Sequence, residues 1–317
     1  MGQLSTPSDA GLIDINRQGS ARRVRLSLKT RESLMAYIFL APFLFFFFVF
    51  VLRSVVFGGW ISLHRWPILA PDKGYVAFNN YVSLMNDSLW WTALQNTVVF
   101  AALTVAGTTV LSLLAALALN RPLPGQSFFR ILFYMPSLLS VSVVAIAWSW
   151  LLNTDFGIIN YGLQLLGLPK VNWTGDANLV LITLSLVTIW WGFGFPTLVF
   201  LAGLRGIPEP LYEAAKIDGA GGWALFWYIT LPLLRPTLLF VTVTGFISHF
   251  QVFGQPYLMT NQGGPGRASF TVIMYIFQTA WRFFNLGYAS AMALTLAAIL
   301  MILTLIQFRF GGRRVEY

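Results

Sequence analysis

The chain contains no cysteine, only two histidines (His64 and His249), and few charges: 10% of its 317 residues are Asp, Glu, Lys or Arg. A disulfide framework, a thiol nucleophile and a Cys-ligated metal are therefore excluded, and two histidines rule out a His-rich metal centre. Soluble domains carry about 25% charged residues. A chain that is 57% hydrophobic with mean hydropathy +0.70 belongs in a membrane. It also lacks the G-x-x-x-x-G-K-[ST] loop that cradles nucleotide phosphates. Its one Gly-rich run, Gly263-Gly264-Pro265-Gly266, has no lysine and reads as a turn.

What is present is six apolar stretches of about 20 residues, each long enough to cross a hydrocarbon core roughly 30 Å thick. They are expected at residues 34–57, 93–119, 131–152, 179–204, 232–251 and 286–308. The expected fold is all-α, a polytopic membrane protein of six transmembrane helices with no large soluble domain. The first stretch follows Arg22, Arg23, Arg25, Lys29 and Arg31 as a signal peptide would. It is longer than a signal h-region and no A-x-A-like site follows it, so it is read as a retained span. Residues 1–33 read as an N-terminal tail, with 1–20 of disordered composition. Residues 58–92 read as an extracytoplasmic loop, 93–308 as a five-span core and 309–317 as a C-terminal tail. Trp60, Trp66, Tyr75, Trp90 and Trp91 are read as an aromatic belt at the outer interface.

Six spans put both termini on one side. Residues 1–33, 120–130, 205–235 and 309–317 hold 14 of the 20 Lys and Arg. By the positive-inside rule these segments are cytoplasmic, which accounts for the net charge of +9 without nucleic acid. No Asp or Glu falls inside any expected span, and Arg53 and Arg235 lie at span ends. A proton-coupled carrier needs intramembrane carboxylates to load and release its proton, and no inverted pair of broken helices is evident. A membrane-embedded enzyme needs a nucleophile with a base, or a metal, and His249 has no acidic partner in any span. Both readings are disfavoured.

The most informative stretch is GIPEPLYEAAKIDGAGGWALFWYITLPLLRP, residues 206–236. Pro208 and Pro210 punctuate the start of a short helix, and Glu209 and Glu213 sit in its first turns, where the helix dipole favours carboxylates. Gly219, Gly221 and Gly222 end it, giving a helix near 209–222. Trp223, Leu225, Phe226 and Trp227 then form a surface suited to the membrane interface, and Pro232 is expected to open the fifth span.

Glu213-Ala214-Ala215, Gly219, Ile229, Leu231 and Pro232 reproduce the EAA---G---------I-LP signature, and the chain thereby resembles the permeases of binding-protein-dependent ABC importers. Phe129-Arg130, Ile189-Trp190, Leu201-Ala202-Gly203-Leu204 with Ile207-Pro208, Thr260 with Gly263-Gly264-Pro265, and Gly287-Tyr288-Ala289-Ser290-Ala291 extend the likeness. They are similar to the carbohydrate branch, the maltose and glycerol-phosphate type, over roughly residues 34–308. The resemblance implies a type I ABC transmembrane domain in the cell membrane, importing a sugar or sugar-like solute by alternating access. It implies that Glu213, Ala214, Ala215, Asp218 and Gly219 form a coupling helix on a separate ATPase, with Ile229, Leu231 and Pro232 completing the signature. It further implies two ATPase subunits, a second permease and an extracytoplasmic solute-binding protein as partners. No catalytic residue, metal or cofactor is expected in the chain itself.

A sugar path calls for neutral hydrogen-bonding groups and aromatic faces. The outer half of the fifth span offers Gly245, Ser248, His249 and Gln251, and Ser248, Gln251 and Gln255 recur at i, i+3 and i+7, on one face of a continuing helix. Interhelical bonding to a partner permease is the other reading of these groups. Trp148, Trp150, Trp190 and Trp191 could stack sugar rings, but packing or lipid-facing roles are the preferred reading. Ser142, Ser149, Thr183, Thr188 and Thr242 are read as bonded to their own helix backbone. Pro196, after Gly192 and Gly194, is expected to kink the fourth span.

Overall fold

The computed structural model describes residues 28–69, 74–121 and 124–311. The arginines at 22, 23 and 25, the expected disordered stretch 1–20, Lys73 and residues 312–317 lie outside these. The described chain is all-helical, and among the described residues β pairing is limited to isolated bridges between His64 and Tyr75 and between Pro67 and Asn285.

The chain divides into two units, one ending at Val55 and the other running from Val56. The first holds α1 (Leu28–Phe46), a π-helical segment Phe47–Leu52 and the start of α2 (Arg53–Ser62). Residues Met35–Ser62 form one apolar run of 28 residues, long enough to cross a bilayer with tilt.

The second unit opens with α3 (Asn79–Met85) and the 32-residue α4 (Ser88–Leu119). It continues with α5 (Gln126–Tyr134), α6 (Val141–Leu151), α7 (Ile158–Leu165), α8 (Val180–Gly192) and α9 (Gly194–Arg205). Then come α10 (Glu209–Ile217), α11 (Gly222–Leu225), α12 (Leu231–Leu233), α13 (Arg235–Phe250), α14 (Gly254–Met259), α15 (Val272–Trp281) and α16 (Leu286–Gly311). The expected outer loops are partly helical: α3, α7, α14 and α15 fall within them.

Three of the six expected spans are single apolar helical runs and three are bent pairs. The third span starts at Gln126, not 131, and turns by 96° between Leu138 and Val141. The fourth bends by 52° between α8 and α9, at Phe193. Pro196 sets its missing amide and its ring against the Gly192 carbonyl four residues back, so the bend falls one turn ahead of the proline, where a kink at Pro196 is expected. Gly194 marks the bend, because a Cβ there would lie 2.2 Å from the Phe133 carbonyl oxygen. The fifth bends by 64° between Leu233 and Arg235. Pro232 consequently belongs to the preceding segment, and Pro236 takes the early-turn position of the span proper.

Helix α4 is the post around which the second unit is built, packing against α8, α9 and α13. Thr97, Thr104, Thr108 and Ser112 form a buried stripe of small polar residues along it. Small side chains let helices approach closely in lipid: a Cβ at Gly107 would collide with Ile189, and one at Gly245 would press on Val105.

Asp87 caps α4 by accepting from the Leu89 amide at 2.9 Å and the Trp90 amide at 3.4 Å. The same carboxylate accepts the Tyr275 hydroxyl at 2.5 Å and the Tyr288 hydroxyl at 2.7 Å, tying α4 to α15 and α16. Burial alone would raise the Asp87 carboxyl; the hydrogen bonds from Tyr275, Tyr288 and the two amides outweigh it and hold the group below its ordinary value. The aromatic-belt expectation fails for Trp90, which is fully buried in the core beside Leu84 and Met292. Trp60, His64 and Trp66 instead pack ring on ring, with centroids 4.2 Å (Trp60–His64) and 5.2 Å (Trp60–Trp66) apart.

Candidate transport path and coupling helix

Breaking a helix at membrane depth exposes carbonyls that lipid cannot bond. Such breaks survive only where side chains recover the lost bonds or where they line a polar cavity. Both conditions hold here. At the break in the third span, the Leu139 carbonyl accepts the Trp191 indole N–H at 3.2 Å. At the break in the fourth, the Phe193 carbonyl accepts hydroxyls from Ser112 and Thr197, each at 2.8 Å. Beyond the end of α13, the Val252 carbonyl accepts the Thr271 hydroxyl at 3.0 Å.

These interruptions converge on one cavity of about 470 Å³. Val141 reaches it from the start of α6, Gly192, Phe195 and Pro196 from the α8–α9 bend, and Gln251 to Gln255 from the α13–α14 junction. Gly245, Ser248, His249 and Gln251, the four residues singled out in the sequence, all line it. Their arrangement differs from the one expected. Helix α13 stops at Phe250 with Gln251 as its cap, so Gln255 lies on α14 and is buried. The i, i+7 relation on one helix face is therefore wrong for Gln255, although a change of chain direction brings it to the same cavity.

The lining carries hydroxyls (Thr108, Thr188, Thr244, Ser248), amides (Gln251, Gln255), an imidazole and the rings of Trp191, Phe195 and Phe253, and no Asp, Glu, Lys or Arg. Trp191 had been read as packing; it lines the cavity while its N–H is held by Leu139. Thr108 was also missed. Its signal was the spacing of Thr104, Thr108 and Ser112, a polar stripe on an otherwise apolar helix. Trp148 and Trp190 do pack against each other, with ring centroids 5.3 Å apart. Ser149, Thr188 and Thr242 bond the backbone of their own helices as expected, whereas Thr183 reaches the Trp173 carbonyl at 2.9 Å. His249 packs edge-on near Phe100, with centroids 6.2 Å apart.

The signature segment folds as a separate, outward-facing feature. Pro208 is the N-cap of α10, Pro210 stands in its first turn and Glu209 meets the positive end of the dipole. The helix ends at Ile217 with Asp218 as C-cap, shorter than the 209–222 expected, because Gly219 takes φ +84° and breaks it. Tyr212 turns inward onto the cluster containing Leu204, Ile207 and Leu234, and its hydroxyl meets the Thr230 hydroxyl at 3.0 Å. That bond links α10 directly to the segment bearing Ile229, Leu231 and Pro232. Glu213, Ala214, Lys216 and Asp218 remain exposed, as do Leu211 and Ile217, the latter 87% exposed.

Residues 108–315 match the family model described as "Binding-protein-dependent transport system inner membrane component". The trehalose/maltose transport system permease protein MalF of Thermococcus litoralis is 33% identical over 290 residues, covering 90% of this chain and 97% of that one. The sulfoquinovosyl glycerol transport system permease protein SmoG of Agrobacterium fabrum is 34% identical over 281 residues, covering 88% and 90%. A crystallised bacterial alginate ABC transporter, solved with an alginate pentasaccharide-bound periplasmic protein, has a chain that superposes with TM-score 0.76 at 21% identity, covering 90% and 97%. The signature, the bent-helix fold and these relatives agree: the chain belongs to the binding-protein-dependent ABC importer permeases, and is a multi-pass cell-membrane transport subunit.

Proposed function

We propose that this permease carries a neutral sugar or sugar-like solute into the cytoplasm, and that the cavity at the helix breaks is its path through this subunit. The observation that carries the reading is the cavity lining, in which hydroxyls, amides and aromatic rings are present and formal charge is absent. Sugar hydroxyls exchange water for such groups, and sugar C–H faces stack on rings. An anionic cargo would leave its charge unpaired there, at a cost of several kcal/mol. Relatives named for trehalose/maltose, lactose and arabinooligosaccharides support a sugar cargo; others are named for sulfoquinovosyl glycerol and sn-glycerol-3-phosphate, so the neutrality rests on the lining alone. Gly245, Ser248, His249 and Gln251 are the proposed contacts, with Gly245 letting α13 pack closely on Val105 of α4.

Both termini and α10 lie on the cytoplasmic side in this reading, in line with the excess of Lys and Arg there. Glu213, Ala214, Ala215, Asp218 and Gly219 dock into a separate ATPase, and the Tyr212–Thr230 bond passes its movement to the fifth span. A second permease completes the path, two ATPase subunits supply the energy, and an extracytoplasmic binding protein delivers the solute to the outer segments. The complex purified from native membranes and reconstituted in liposomes tests this. ATP-dependent uptake of a neutral oligosaccharide, with affinity or rate falling when Ser248, His249 and Gln251 are each made alanine, is expected. Uptake driven by an ion gradient without ATP, or unchanged by all three substitutions, refutes it.

A further inference from the structure

A second cavity lies away from the path, between α13 and α16. It is an open groove of about 780 Å³ flanked by Arg235 at the start of α13 and Arg309 near the end of α16. Both arginines are exposed, and among the described residues neither has an ion-pair or hydrogen-bond partner. Between them stands Gln307, whose Oε1 is buried and bonded to nothing. Leu238 and Leu239 supply an apolar wall, and Gly311 closes one end so tightly that a Cβ there would lie 2.8 Å from Leu239.

The segment just before the 64° bend fixes the depth of this groove. Trp223, Trp227 and Tyr228 are exposed, at 76%, 46% and 82%. Aromatic side chains presented in this way settle at the headgroup level of a bilayer. Arg235 follows directly after that segment, so the groove opens at the same level, and its walls run from there along the two helices toward the hydrocarbon.

We propose that this groove binds the headgroup of an anionic phospholipid that bears hydroxyls, of the phosphatidylglycerol kind. The phosphate sits between the Arg235 and Arg309 guanidiniums, which can each offer two parallel N–H donors. A headgroup hydroxyl donates to the orphaned Gln307 oxygen, and the acyl chains lie along Leu238 and Leu239. Because the groove touches α13 on a face other than the one lining the path, an occupied headgroup braces the helix that carries Ser248 and His249. The lipid site does not depend on what the cargo is.

Native mass spectrometry of the delipidated complex, titrated with palmitoyl-oleoyl-phosphatidylglycerol and with the phosphatidylcholine of the same chains, tests the inference. One saturable phosphatidylglycerol adduct per copy of this chain is expected, in preference to phosphatidylcholine. Each arginine at an anionic lipid surface contributes about fivefold, so Arg235→Gln with Arg309→Gln weakens that adduct roughly twentyfold and leaves phosphatidylcholine adducts unchanged. Arg235→Lys with Arg309→Lys keeps most of the binding, and Gln307→Leu alone reduces it, which covers the event that the double glutamine variant fails to assemble. Equal adducts of the two lipids on the wild-type complex, or unchanged phosphatidylglycerol binding in the glutamine variant, overturn the proposal. Displacement of the lipid by millimolar glycerol 1-phosphate would overturn it too, by showing a site for a soluble phosphate.

Discussion

Removing the Asp87 carboxylate should loosen the end of the core where α4, α15 and α16 meet. Three kinds of bond end on that side chain: the α4 cap, the Tyr275 hydroxyl and the Tyr288 hydroxyl. Replacing a capping aspartate by alanine costs about 1 kcal/mol. A hydrogen bond to a charged group contributes about 1.5–3 kcal/mol, and the half-exposed setting puts each tyrosine bond at the low end or below. Asp87→Ala is therefore expected to cost roughly 3 kcal/mol, allowing for bonds that share one acceptor and do not add fully. Asp87→Asn keeps an oxygen for the cap and loses the charge, so it should cost about 1 kcal/mol. Tyr275→Phe and Tyr288→Phe should each fall near the same value.

Thermal unfolding of the purified complex in mild detergent reads these differences, at about 2–4 °C per kcal/mol. A drop of roughly 6–12 °C is then expected for Asp87→Ala. The effect also has a pH signature. The folded-state pKa of Asp87 is lowered from an ordinary value of 3.8. Its stabilisation is thus complete above that ordinary value and is lost as pH falls through the lower folded-state value. Wild type and Asp87→Asn should keep a constant gap from neutral pH down to about 4 and converge only below it. Equal midpoints for Asp87→Ala and Asp87→Asn would refute the partition. So would tyrosine-to-phenylalanine changes that leave the midpoint unmoved, since the interhelical bonds would then contribute nothing.

Three further outcomes follow from local geometry. Gly219→Asn should support near-normal transport, because Asn tolerates φ +84° and nothing lies within 4 Å of a Cβ there; Gly219→Val should lose coupled ATPase stimulation by roughly five- to thirtyfold, the equivalent of about 1–2 kcal/mol of left-handed strain. Glu213→Lys, exposed on α10, should leave the amount of protein in the membrane unchanged and abolish ATP-driven uptake, both read from one membrane preparation. Gly194→Ala should reduce the yield of folded complex, measured by size-exclusion chromatography, because the added carbon strikes the Phe133 backbone; Pro196→Ala should lower coupled transport, since it restores an amide able to bond the Gly192 carbonyl and straighten the bend.

The membrane class, the six apolar segments and the docking signature were legible because each rests on local pattern: apolar length, charge asymmetry, and spaced residues within one loop. The kink of the fourth span was legible from Pro196, whose bend falls one turn earlier, at Phe193. The bends of the third and fifth spans were not, nor was the close approach of Gly194 to the Phe133 carbonyl, a contact from 61 residues earlier in the chain. Gln255 was misplaced for the same reason. A helix continued past Gln251 on paper, while the chain turns there, with Thr271 taking the Val252 carbonyl.

The cavity shows how these failures are connected. Four of its residues, Gly245, Ser248, His249 and Gln251, were found from one expected span, because polar residues in an apolar span stand out. Trp191, Phe195 and Thr108 were passed over because each has a sufficient local explanation as packing or backbone bonding. Their shared position appears only once the third, fourth and fifth spans are bent toward one another. The breaks leave the Leu139 and Val252 carbonyls to the Trp191 indole and the Thr271 hydroxyl, while Ser112 and Thr197 add hydroxyl bonds to a Phe193 carbonyl that keeps its bond from the Thr197 amide. Mutating these four donors should therefore affect the path without touching its lining hydroxyls: the polar groups that let the helices break are the same ones that hold open a place for a polar solute inside an apolar protein.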